Sequence, residues 1–68
     1  MKKMSIITPV LNEEDNILDC YNEIKNLFEK KLIDYDYEHI FVDNMSDDSS
    51  VEKITALCQD DTKVKLII

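Results

Sequence analysis

The sequence predicts an α/β fold, a three-layer, parallel β-α-β-α-β arrangement in which helices serve as crossovers between strands. Three observations carry this. Short apolar runs stand at Met4–Thr8, Tyr37–Asp43 and Lys63–Ile68. The middle run has a continuous apolar centre, Ile40-Phe41-Val42, which marks a strand covered on both faces. The segments between the runs show helical periodicity and are long enough for right-handed crossovers.

The elements follow in order. Met4 to Thr8 reads as a strand closed by Pro9, which cannot donate to a ladder. Asn12 is a favoured N-cap, and Glu13-Glu14-Asp15 suit the positive end of a helix dipole. Ile17, Cys20/Tyr21, Ile24, Leu27/Phe28 and Leu32 then form one apolar stripe, so a helix is expected over about 13–32. Lys25, Lys30 and Lys31 lie toward its negative end. After the polar connection Asp34-Tyr35-Asp36 comes the second strand, Tyr37–Asp43, and then an Asp- and Ser-rich loop, Asn44–Ser50. Ser49 and Glu52 have the spacing of a capping box. Val51, Ile54 and Leu57/Cys58 give the second helix its stripe, with an end expected near Asp60–Thr62. Lys63–Ile68 is the third strand. Strand 1 is expected in the middle of the sheet, with both motif-bearing loops at one edge.

Composition narrows the function. The chain has 68 residues, enough for one domain, with two cysteines, Cys20 and Cys58, in no disulfide or zinc pattern. Its net charge is −7, and it has no arginine. Phosphate neutralisation of a nucleic acid is therefore disfavoured. Glycine is absent as well, which rules out glycine-rich phosphate loops, dinucleotide fingerprints and the nucleophile elbow. No apolar run approaches a membrane span, and the start is no signal peptide. With two unpaired-looking thiols, a cytoplasmic location is expected. The apolar ending Leu66-Ile67-Ile68 suggests the opening part of a larger α/β domain.

In open α/β sheets ligands bind beyond the carboxyl ends of the strands. Two segments would meet there, Thr8–Glu13 and Asp43–Asp48. The second is strongly acidic. Its carboxylates are acceptors, suited to the N–H of a uracil ring or to ribose hydroxyls. A diphosphate in such a crevice would need a divalent metal, and no clear metal pair stands in the sequence.

These residues resemble a known family. Ser5-Ile6-Ile7-Thr8-Pro9-Val10-Leu11-Asn12-Glu13-Glu14 is similar to the opening of the inverting family-2 glycosyltransferases, whose first strand ends in Pro-x-aromatic-Asn-Glu. Ile40-Phe41-Val42-Asp43-Asn44-Met45-Ser46-Asp47-Asp48-Ser49 resembles their second-strand motif. The resemblance covers essentially the whole chain and is nearest to the polyprenyl-phosphate (dolichol- or bactoprenol-phosphate) sugar transferases. It implies a GT-A, Rossmann-like domain of which residues 1–68 are the N-terminal nucleotide-sugar-binding part. It implies a UDP- or GDP-sugar donor and transfer, with inversion, to an acceptor such as a polyprenyl phosphate (a lipid phosphate) or a saccharide. Pro9, Leu11 and Glu13 fall where the family's first loop touches the nucleotide. Asp43 matches the carboxylate that recognises the base, and Asn44 is its neighbour. A divalent metal (Mg or Mn) is implied for the full-length enzyme, with its Asp-x-Asp motif and the catalytic base beyond residue 68. The isolated chain is expected to be inactive and to form a homo-oligomer. Leu11 replaces the usual aromatic, and Met45 stands where glycine is common, so the loop is expected not to reach glycine's backbone angles.

Plainer readings stand beside these. Asp43–Asp48 also reads as a solvated loop with helix caps, Glu13 as a first-turn helix acid, and the cysteines as core thiols. His39, alone in a strand, reads as structural. A flavodoxin-like, receiver-type interaction module is the alternative fold-level reading. Pro9 argues against it, because a receiver carries an acidic pair after strand 1.

Overall fold

The computed structural model describes residues 2–68, and its elements are β1 (Lys2–Val10), α1 (Ile17–Lys30), β2 (Tyr35–Asp43), α2 (Ser50–Asp60) and β3 (Val64–Ile67). The strands form one parallel sheet, so the β-α-β-α-β reading holds.

The strand order is β1-β2-β3, which corrects the expectation that strand 1 is central. Strand β2 is the one paired on both sides, to β1 over its whole length and to β3 from His39 to Val42. The continuous apolar centre belongs to that middle strand. Pro9 lies within β1, opposite Val42, and does not end the strand. It is tolerated there because β1 is an edge strand.

Parallel crossovers are right-handed as a rule, so two that step in the same direction put both helices on one face of the sheet, and Ile17 of α1 and Ile54 of α2 accordingly share one core. Val10, Ile17, Phe41, Ile54 and Val64 form the buried core on that face, with Cys20, Tyr21, Leu57, Cys58 and Leu66 packed against it. Fully burying a side chain such as Phe41 or Ile54 contributes about 1.5–3 kcal/mol. Ile40 and Val42 point to the other face, alongside the exposed Ile7 and Ile67. Among the described residues no layer covers that face, so the expected third layer is not supplied by them.

Helix α1 is shorter than its apolar stripe, which runs on to Leu32, whereas α2 contains the whole of its own. Helix α1 begins at Ile17 rather than at residue 13. Asn12 has a left-handed φ of 50° and therefore cannot be its cap. Glu13–Asn16 form a separate turn, closed by Asn16 N–H donating to Glu13 O at 2.9 Å. At the other end Leu32 N–H reaches back to Leu27 O at 3.0 Å, a bond typical of helix termini. Ser49 precedes α2 but makes no side-chain cap bond, so the expected capping box does not form. Asp48 takes that role, as described below.

Candidate functional site

The two motif loops leave β1 and β2 side by side at the carboxyl edge of the sheet. Asn44 N–H donates to Val10 O at 2.8 Å, carrying the strand pairing one step past β2. Beyond it the loops are joined by a run of side-chain bonds to main-chain groups. Asn12 N–H donates to Ser46 Oγ at 2.9 Å, and Asp47 N–H donates to Asn12 Oδ1 at 2.7 Å. Glu13 N–H donates to Ser50 Oγ at 3.1 Å, and Glu14 N–H to Asp48 Oδ2 at 3.1 Å. Lys53 Nζ closes the far end on Glu14 O at 2.9 Å. Three consecutive amide groups of the first loop, which in a regular helix start would need local caps, are thus satisfied by the second loop.

Asp43 and Asp48 organise the acidic loop. Asp43 ends β2 on the core-facing side and is only 5% exposed. Its Oδ1 accepts the Ser46 hydroxyl at 2.6 Å and its Oδ2 accepts Ser46 N–H at 3.1 Å. Each carboxylate oxygen keeps further acceptor capacity. Asp48 Oδ1 accepts both Ser50 N–H, at 2.9 Å, and Ser50 Oγ–H, at 2.6 Å. The Ser50 hydroxyl bond, helped by the Ser50 and Glu14 amides, holds the Asp48 carboxyl below the usual carboxylate range. Ser50 is wholly buried.

The five residues singled out from sequence fall at this edge, in different settings. Pro9, Leu11, Glu13 and Asn44 are exposed, while Asp43 is buried beneath them. Met45 does adopt φ of 60°, correcting the expectation that a non-glycine residue would keep the loop from such angles. Its side chain is 83% exposed, so no clash of packing opposes the turn. Sequence reading missed Ser46, Asp48 and Ser50 as the residues that join the loops. The signal available was the density of Asp and Ser after β2, since these side chains bond to nearby main chain.

Among the described residues no three His, Cys, Asp or Glu side chains come together as a metal site. Among the described residues no helix is long and apolar enough to cross a membrane. Both cysteines are free and half-buried. An open groove of about 400 Å³ between Phe28, Tyr35 and Lys63 includes none of the motif residues.

Comparison with known proteins places the chain. The model of the glycosyl transferase family 2 matches residues 5–68. No significant match was found among curated proteins or among solved structures. The family match spans both motif loops and all three strands, and with the parallel β-α-β-α-β fold it leads to one conclusion: the chain belongs to the family-2 glycosyltransferases.

Proposed function

We propose that the chain forms the donor-nucleotide end of a sugar transferase that uses a UDP- or GDP-sugar and passes the sugar, with inversion, to a polyprenyl phosphate. The observation that carries this reading is the joining of the two loops at the carboxyl edge, where open α/β sheets take ligands. Pro9, Leu11, Glu13 and Asn44 form its exposed rim. Asp43 supplies acceptor oxygens for a base N–H while it fixes the loop through Ser46. The excess of carboxylates favours neutral, donor-rich groups such as a base and ribose over a bare phosphate.

A divalent metal, Mg or Mn, belongs in this reading to the full-length enzyme. The described residues do not gather into a set that fits one, and no step of the reaction is assigned to them through it. The acceptor, the metal and a cytoplasmic location rest on the resemblance of the two motifs. Self-association of the isolated chain is part of the same reading, because the sheet has two open edges and an uncovered apolar face.

Amide chemical shifts recorded while UDP and GDP are added separately test the proposal. Shifts centred on residues 9–13 and 43–47 are expected. Shifts confined to the groove at Phe28 and Tyr35, or none at millimolar nucleotide, would contradict it.

A further inference from the structure

His39 is the one histidine of the chain and lies 1% exposed in the central strand. Its ring stacks on Phe41 with centroids 4.2 Å apart. Nε2 lies 2.9 Å from Thr8 Oγ1 on β1, and Thr8 Oγ1 lies 3.9 Å from Cys20 Sγ on α1. Nδ1 is buried and has no hydrogen-bond partner. The favoured tautomer carries its proton on Nε2 and donates it to Thr8, whose hydroxyl then turns toward Cys20. The other tautomer would bury an unmet N–H, which folded proteins avoid more strictly than an unmet lone pair.

The surroundings give a charged ring no compensation. Cys20 and Tyr21 of α1, Tyr37 and Asp43 of its own strand, Cys58 of α2 and Asp61 are titratable groups on this side of the sheet. Burial pushes the Tyr21 and Tyr37 hydroxyls and the Cys58 thiol above their ordinary values, away from the charged form. Strand β1 contributes Ile6 and Thr8, and β3 contributes Val64. Asp61 and Lys63 stand at the rim, engaged with Tyr21 and Asp36. Asp43 lies further along the face, beyond Phe41, and is held by Ser46. Burial accordingly pushes the His39 ring below its ordinary value.

We propose that His39 is an acid-operated release of the β1–β2 pairing. A proton on Nδ1 creates an N–H with no acceptor and a cation with no counter-ion between the two strands. The strained element is the seam that Thr8 shares with His39, two residues before Val10, whose carbonyl holds Asn44. Mild acid therefore loosens the origin of both motif loops.

The sign follows from linkage. The folded ring resists protonation, so the unfolded chain binds more protons as pH falls below about 6.5. Stability is fully present above that value and declines below it. The decline is at most tenfold in the folding constant per pH unit.

The test is made on the parent chain. The imidazole carbon and nitrogen shifts of the one histidine are followed from pH 7.5 to 4.5, together with exchange protection of the Asn44 amide. The expected result is a native ring that titrates below the ordinary imidazole value, with Asn44 protection falling as much as tenfold per unit below about pH 6.5. In His39→Phe that dependence should vanish. A native ring that titrates at the ordinary value, or Asn44 protection unchanged between pH 7 and 5, overturns the proposal. The ring titration decides even if the substituted chain fails to fold.

Discussion

The Asp43 carboxylate holds Ser46 twice, through its hydroxyl at 2.6 Å and its amide at 3.1 Å, and Ser46 in turn accepts the amide of Asn12. One side chain at the end of β2 thereby sets the position of the loop after β1. The same logic repeats one turn later, where Asp48 holds Ser50 and Ser50 accepts the amide of Glu13. The crevice edge is built from side chains bonding main chain across loops, in a sequence without glycine.

Ser50→Ala should be costly for so small a change. It removes a wholly buried hydroxyl that donates to Asp48 and accepts from Glu13. Leaving a buried polar group unpaired costs about 1–3 kcal/mol. Urea unfolding should show that loss with an unchanged slope, whereas Ser49→Ala, with no side-chain cap bond, should move the midpoint little.

Acid should weaken the loop junction in a second, lower window. Asp48 is held below its ordinary value, so the stability it contributes is present above the unfolded carboxylate value and is lost as pH falls through the folded one. Below about pH 4 the amide of Glu14 should therefore lose protection. In Asp48→Asn this component of the pH dependence should be absent.

Met45→Gly should stabilise the chain. Left-handed backbone costs a non-glycine residue about 1–2 kcal/mol, and glycine's greater unfolded freedom returns about 0.5–1 of that. A gain of about 0.5–1 kcal/mol in urea unfolding is expected, and a loss would mean that the exposed methionine packs in solution.

Much of the fold was legible because it rests on local pattern. The apolar run Ile40-Phe41-Val42 and the stripe from Ile17 to Phe28 identified a parallel α/β unit without reference to distant contacts. Strand order was not legible, since a parallel crossover can step to either side, and no local feature of β1 says that it lies at an edge except Pro9. The helix start was misplaced for a related reason. Asn12 and the three acids after it have the composition of an N-terminus, but their amides are claimed by Ser46, Ser50 and Asp48, more than thirty residues away. The positions of the candidate site were legible as two motifs, while the buried setting of Asp43 depends on the register of β2 against β1.

The uncovered sheet face should make the isolated chain self-associate. Ile7 and Ile67 are exposed beside Ile40 and Val42. Light scattering at rising concentration should report a mass above that of one chain, and Ile7→Lys should lower it. A folded monomer at millimolar concentration would contradict this expectation.

Calorimetric titration of UDP and GDP, with a divalent metal present, into the parent chain and two variants tests the central claim most directly. Asp43→Asn keeps the size of the side chain but replaces acceptor oxygens with a donor. It should lower nucleotide affinity about tenfold or more, the loss of one hydrogen bond to a charged acceptor. Asp47→Asn should bind almost as the parent does, because the loop uses the Asp47 main-chain amide. If Asp43→Asn binds like the parent while Asp47→Asn loses the nucleotide, Asp43 does not recognise the base and the account of this edge is wrong.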